Sequence, residues 1–175
     1  MSTSSFEAGV LPRRAVADGQ YLNPTDPAIL GITDFTREYP VTVDADRHID
    51  EALDDMVRVG VRALLVTREI RILGLITSYD IQGERPIQFL QSSNYAHHRD
   101  VRVADIMTPW ESLSALSWDI VQSMQASELL GLVEDAGLTH VLVVEGGART
   151  SACVIRALVS RARLQRQLSG MRRAG

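Results

Sequence analysis

Apolar positions in this chain follow two rhythms. Ile49, Ala52, Leu53, Met56 and Val57 recur at helical spacing and predict an amphipathic helix, opened by Asp44 or Asp46 and closed by Gly60. Asp50 and Glu51 in its first turn suit the helix dipole. Ala63-Leu64-Leu65-Val66 and Ile72 to Ile76 are continuous apolar runs of strand length, with Thr67 to Arg71 as the turn between them. Pro40-Val41-Thr42-Val43 reads as a short strand before the helix. Thr77 and Ser78 can cap a second helix with Asp80 in its first turn. The order is β-α-β-β-α. Upstream, Pro27 to Phe35 reads as a short helix with Asp26 as N-cap.

The same order recurs. Glu51, Leu53, Gly60, Leu65 and Val66 return as Glu128, Leu130, Gly137, Leu142 and Val143 at one constant offset. Trp118-Asp119-Ile120 falls where the strand Val41-Thr42-Val43 stands. A helix from about Ser123 to Ala136 and a strand from His140 to Val144 follow, then a longer hairpin turn from Glu145 to Thr150. Ala157 to Leu164 takes the place of Gly74 to Ile81. Two copies are too few for a solenoid. Each leaves one sheet face uncovered, so an α/β fold of two β-α-β-β-α repeats packed around a pseudo-twofold axis is expected.

Gly74-Leu75-Ile76-Thr77-Ser78-Tyr79-Asp80-Ile81 carries the candidate chemistry. Gly74 lets another backbone or a ligand come close. A strand running straight into a helix leaves free N–H groups that suit a phosphate. Asp80 repels phosphate but accepts hydrogen bonds from a diol such as ribose. The same residues also suit an ordinary strand-to-helix turn with a capping hydroxyl.

Gly74-Leu75-Ile76-Thr77-Ser78-Tyr79-Asp80 resembles the G-h-h-T-x-x-D signature of CBS domains, named after cystathionine β-synthase. Val103-Ala104-Asp105-Ile106-Met107-Thr108-Pro109 is similar to that family's linker into a second repeat. The resemblance spans about residues 27–168 and implies a tandem pair. Its parts are a flexible arm over 1–26, a first repeat with a helical insertion over 27–100, a second over 101–168 and a tail over 169–175. It implies a regulatory module that binds AMP, ADP, ATP or S-adenosylmethionine in clefts between the repeats, pairs into a homodimer and regulates another protein. Thr77 would meet phosphate and Asp80 ribose, with Thr42, Val43, Arg62 and Ala63 flanking the base. His140 would lie near adenine in the second copy. That copy departs from the pattern: Ala157 replaces the glycine, Ser160 keeps the hydroxyl, and Arg163 reverses the aspartate's charge. An arginine cannot accept a hydrogen bond from a ribose. Arg163 would meet phosphate or be part of a solvated basic helix end with Arg161, Arg166, Arg172 and Arg173.

Composition narrows the reading. The chain has 175 residues, 45% apolar and 23% charged, as in ordinary soluble proteins. Its formal net charge of −4, without a basic run, argues against nucleic acid. Met1 to Gly9 lacks the apolar core of a secretory signal, and no apolar run is long enough for a bilayer. The lone Cys153 sits in an apolar run and reads as a buried thiol in a reducing compartment. A cytoplasmic protein without a membrane segment is expected. His48, His97, His98 and His140 show no metal-ligand spacing, and neither a P-loop nor a dinucleotide fingerprint is present. No metal, no cofactor and no catalytic role are therefore expected. Residues 82–100 exceed a minimal connection, and Pro86 to Leu90 reads as an added helical turn or two. Trp110 and Trp118 read as core or interface anchors. A different class of function stays open, a dimerisation platform that takes no ligand.

Overall fold

The computed structural model describes residues 21–94, 97–146 and 153–169. In chain order they form β1 (Thr33–Asp34), β2 (Thr42–Asp44), α1 (Ile49–Val59), β3 (Ala63–Arg68), β4 (Arg71–Thr77), α2 (Ser78–Gln82), α3 (Arg85–Ser92), α4 (Val103–Ile106), β5 (Thr108–Pro109), β6 (Ala115–Ser117), α5 (Trp118–Ser123), α6 (Ala126–Asp135), β7 (His140–Glu145), β8 (Val154–Ser160) and α7 (Arg161–Ser169). The fold is α/β, with two four-stranded sheets in the orders β2-β3-β4-β5 and β1-β8-β7-β6. Packing divides the described residues into one compact unit within 34–115 and another built from 21–33 with those of 116–169. The boundary differs from the repeat boundaries read in the sequence, because each sheet takes its last strand from the segment upstream of the other copy.

In the unit 34–115, α1 buries Ile49, Ala52 and Met56 against Val43, Leu64, Val66 and Ile76. Val57, expected on the same stripe, is 74% exposed, so the buried face is narrower than the pattern suggested. The helix starts at Ile49, after the N-cap His48. Asp44 makes a turn instead: its Oδ1 accepts from the Asp46 N–H at 2.8 Å, a local bond that competes with helix entry. Gly60 ends α1 at φ 64°, the left-handed conformation glycine adopts without penalty. β2 runs parallel to β3, and β3 turns back into β4. β5 then pairs antiparallel with β4, placing Pro109 opposite Gly74 and Thr108 opposite Leu75. A Cβ on Gly74 would stand 2.2 Å from the Thr108 carbonyl oxygen. The close approach expected at Gly74 is therefore that of another backbone. Val101, Val103 and Ile106 bring this segment into the core. In the inserted region α3 has Pro86 in its first turn and packs Phe89 and Leu90 on the same core.

The second unit uses the same device. Ala28, Ile32 and Thr33 stand to Val103, Met107 and Thr108 at one constant spacing. Ala28 and Ile32 pack with Val121, Leu129, Val141, Val159 and Leu164, and β1 edges β8. Pro27 to Phe35 is thus not one helix. A 3-10 turn at Ala28–Leu30 ends at Gly31, and the next residues extend into β1. Trp118 to Ile120, expected as a strand, is the first turn of α5, and the strand lies just before it as β6. The next helix begins at Ala126 rather than near Ser123, because Met124 is extended (ψ 154°) and Gln125 caps α6. Trp118 is anchored by the Arg156 guanidinium, 4.4 Å from the ring centroid. Both sheets break register alike, the ladder passing over Leu73 in β4 and Arg156 in β8. Cys153 is half-buried, with a free thiol. Residues 1–20, most of the 145–150 turn and all but the first residue of the 169–175 tail lie outside the described residues.

The end of the expected arm is structural. Leu22 is 2% exposed, and its N–H donates to the Gln167 carbonyl at 3.1 Å. The Pro24 and Asp26 carbonyls accept from Ser127 Oγ and the Ala126 N–H, both at 2.8 Å. Leu22→Ala is expected to lower stability by about 2–5 kcal/mol, the usual range for a fully buried leucine. Urea unfolding followed by circular dichroism measures it, beside a chain beginning at Asp26, which is expected to melt lower than the full chain.

Candidate functional site

The N-terminal ends of β2 and β3 and the C-terminal end of β4 lie at one edge of the first sheet. There Ala63 pairs directly with Thr77, and the Arg62 carbonyl accepts from the Ser78 N–H at 2.9 Å. Arg62 itself is exposed, with Nη1 donating to the Tyr79 hydroxyl at 3.1 Å. Thr42 is exposed and sits further along, opposite Leu65. Val43 turns its side chain into the core, leaving only its backbone to this edge.

Thr77 and Asp80 engage each other. The Thr77 N–H and Oγ1 donate to Asp80 Oδ2 at 2.8 and 2.7 Å. The Asp80 N–H donates back to Thr77 Oγ1 at 3.2 Å. This is a reciprocal capping box, and it explains why a helix of five residues forms. With Ser78 bonded to Arg62, the N–H groups of Thr77, Ser78 and Asp80 all have partners within the chain. Three amides expected to cradle a phosphate are therefore engaged here, and Thr77, 6% exposed, would reach a phosphate only by giving up Asp80. The Asp80 side chain keeps 14% of its exposure, and its other oxygen, Oδ1, lies 3.1 Å from Arg85 Nη1.

Arg85 is the residue beside Asp80 that the sequence reading missed. Its Nη1 also donates to the Ile106 carbonyl at 2.8 Å and to Thr108 Oγ1 at 3.0 Å. The available signal was an arginine at the start of the inserted helix, one turn past Asp80. Its acceptors on 106–108 come from a segment whose docking no local pattern reveals.

In the second unit His140 pairs with Ser160 across β7 and β8, and its Nδ1 lies 3.2 Å from Thr139 Oγ1. The Thr139 carbonyl accepts from the Arg161 N–H at 3.0 Å, as Arg62 does from Ser78. Arg163 does not repeat the capping box. Its Nη1 donates to Thr33 Oγ1 of β1 at 2.9 Å. Among the described residues, no three His, Cys, Asp or Glu side chains gather to hold a metal, and no helix is long and apolar enough to cross a membrane. His98 instead pairs with Asp50, Nδ1 to Oδ1 3.4 Å.

Residues 32–85 match the CBS-domain family model. Comparison with curated proteins finds no match. Solved structures share the fold across most of the chain. A protein with CBS domains from Burkholderia ambifaria is 22% identical, with a TM-score of 0.55 over 78% of this chain and 85% of that one. CBSX2 of Arabidopsis thaliana, solved in complex with AMP, is 20% identical, with a TM-score of 0.54 over 85% and 99%. The CBS domain of a bacterial CNNM/CorC-family Mg2+ transporter, in complex with ATP, is 15% identical, with a TM-score of 0.52 over 84% and 89%. Residues 32–85 are a CBS domain, and the fold of the chain is that of the CBS pairs.

The capping box carries the local geometry, so Thr77→Val is expected to destabilise the protein by about 1–2 kcal/mol, and Thr77→Ser by much less. Thermal unfolding of both variants measures the difference.

Proposed function

We propose that this chain is a regulatory module that senses an adenine nucleotide or adenosyl ligand at the β2-β3-β4 edge of the unit 34–115, without catalysis. The observation that carries this reading is Asp80. Its carboxylate is held in one orientation by Thr77 and remains partly open at an edge shared with Arg62 and Ala63. A fixed acidic acceptor suits the two hydroxyls of a ribose. Arg62 offers a cation for phosphate beside amides that are already bonded. Thr77 positions Asp80, Ala63 and the Val43 backbone border the base, and Thr42 lies at the margin. CBSX2 and the transporter domain, which share this fold, hold AMP and ATP. In the second unit His140 and Ser160 stand at the corresponding edge, but Arg163 is bonded to Thr33 where the first unit has its acidic acceptor. One ligand per chain follows from that difference.

Calorimetric titration with AMP, ADP, ATP and S-adenosylmethionine tests the reading. One site per chain is expected. Asp80→Ala should weaken binding roughly tenfold to a hundredfold, the worth of charge-assisted hydrogen bonds. Arg163→Asp should leave the event intact. Equal affinity in Asp80→Ala overturns the site. Absence of binding by all four ligands, with the fold intact, favours an interaction module that takes no ligand.

Self-association belongs to the same proposal. Ile87 on α3 stays 57% exposed, and Val57 on α1 also faces solvent. An isologous contact between two copies would bury such residues. Light scattering at micromolar concentration is expected to give twice the mass of the chain, and a monomer rejects the homodimer.

A further inference from the structure

Tyr79 reaches back from α2 to the residue just before β3. Its hydroxyl accepts from Arg62 Nη1 at 3.1 Å, and the residue stays 45% exposed. A phenol oxygen that accepts still has its own hydrogen to give, and that hydrogen meets no acceptor among the described residues. Arg62 is exposed, spends one N–H on Tyr79 and enters no ion pair among the described residues. Two side chains with donors to spare thus stand together at the edge that carries Asp80.

The backbone leaves this task to them. The Thr77, Ser78 and Asp80 amides already have acceptors, so an anion at this edge has to be met by side chains. The charges favour an anion as well. Asp80 is balanced by Arg85, 3.1 Å from Oδ1, which leaves Arg62 as the uncompensated charge nearby.

The second unit shows that the fold does not require the pair. Thr139 and Ala162 stand at the positions of Arg62 and Tyr79. The same backbone bond forms there without them, from the Arg161 N–H to the Thr139 carbonyl at 3.0 Å. Arg62, Tyr79 and Asp80 therefore occur together in the unit 34–115 alone, while the strand-to-helix junction is common to both units.

We infer that Arg62 and Tyr79 form the phosphate end of this site and make it selective for an adenine nucleotide over S-adenosylmethionine. The inference rests on the reading of Asp80 as the ribose acceptor. Both ligands carry the ribose diol, and they differ at the 5′ carbon. A nucleotide places a phosphate there, whose oxygens accept charge-assisted bonds from the Arg62 guanidinium and the Tyr79 hydroxyl. S-adenosylmethionine places a sulfonium there, followed by an amino acid of no net charge. That cation repels Arg62 and accepts from neither side chain. Tyr79 is thus a specificity-determining residue, which holds the guanidinium in place and gives a hydrogen bond of its own.

Calorimetric titration of the full chain with AMP, adenosine and S-adenosylmethionine tests this. AMP is expected to bind roughly tenfold to a hundredfold more tightly than adenosine, and S-adenosylmethionine no more tightly than adenosine. Tyr79→Phe keeps the ring and removes the donor; it should weaken AMP roughly threefold to tenfold and leave adenosine unchanged. Arg62→Gln should bring AMP down to the level of adenosine. Should Arg62→Gln fail to fold, the Tyr79→Phe arm decides. Equal affinity for AMP and adenosine, S-adenosylmethionine binding as tightly as AMP, or an AMP affinity that either folded variant leaves unchanged overturns the inference while the adenine reading stands. Absence of binding by all three ligands removes the adenine reading and this inference with it.

Discussion

The contact of β5 with Gly74 is the constraint on which the unit 34–115 depends. The backbone of Thr108 comes so near β4 that no side chain fits between them. That approach completes the sheet with a strand from well downstream. It buries Val101, Val103 and Ile106 beside α1 and brings the Ile106 carbonyl and Thr108 hydroxyl within reach of Arg85. Arg85 in turn reaches Asp80, which holds Thr77 and starts α2. A single missing Cβ thus stands at the head of a chain of contacts that ends at the candidate ligand group.

The two copies solve the same problem with different chemistry. Each sheet receives its edge strand from the segment upstream of the other copy, and each anchors it with an arginine on a threonine. In the first, the arginine lies outside the signature and the signature keeps its carboxylate. In the second, the arginine occupies the carboxylate's position, and Ala157 stands where Gly74 does. Charge reversal at that position removes the hydrogen-bond acceptor and installs a donor. The asymmetry between the units is therefore chemical, while their strand order is shared.

Much of this was legible because it is local. The α1 stripe, its Gly60 terminator, the β3–β4 hairpin and the helical insertion after Pro86 depend on residues close in sequence. Spacing and turn chemistry act at that range. Asp44 and Asp46 looked like helix caps, but a local bond between them forms a turn first. Pro27 to Phe35 looked helical, but Gly31 and the demand of β8 for a partner draw Thr33 and Asp34 into a strand. Trp118 looked like strand, but its ring takes a place under Arg156 from a helical turn.

The sequence by itself determined the repeat, the α/β class, the identity of the T-x-x-D group and the loss of its acid in the second copy. Those are properties of residue type and spacing, which the chain carries before it folds. Only the tertiary structure decided which segment completes which sheet, that Leu22 belongs to a core, that the Ser78 amide is bonded to Arg62, and that Arg85 is held between Asp80 and the segment 106–108. The strand partners and the place of Leu22 depend on backbone groups far apart in sequence, and Arg85 is held by the Ile106 carbonyl from well downstream. A backbone donor or acceptor is the same at every residue, so no pattern of side chains announces its partner.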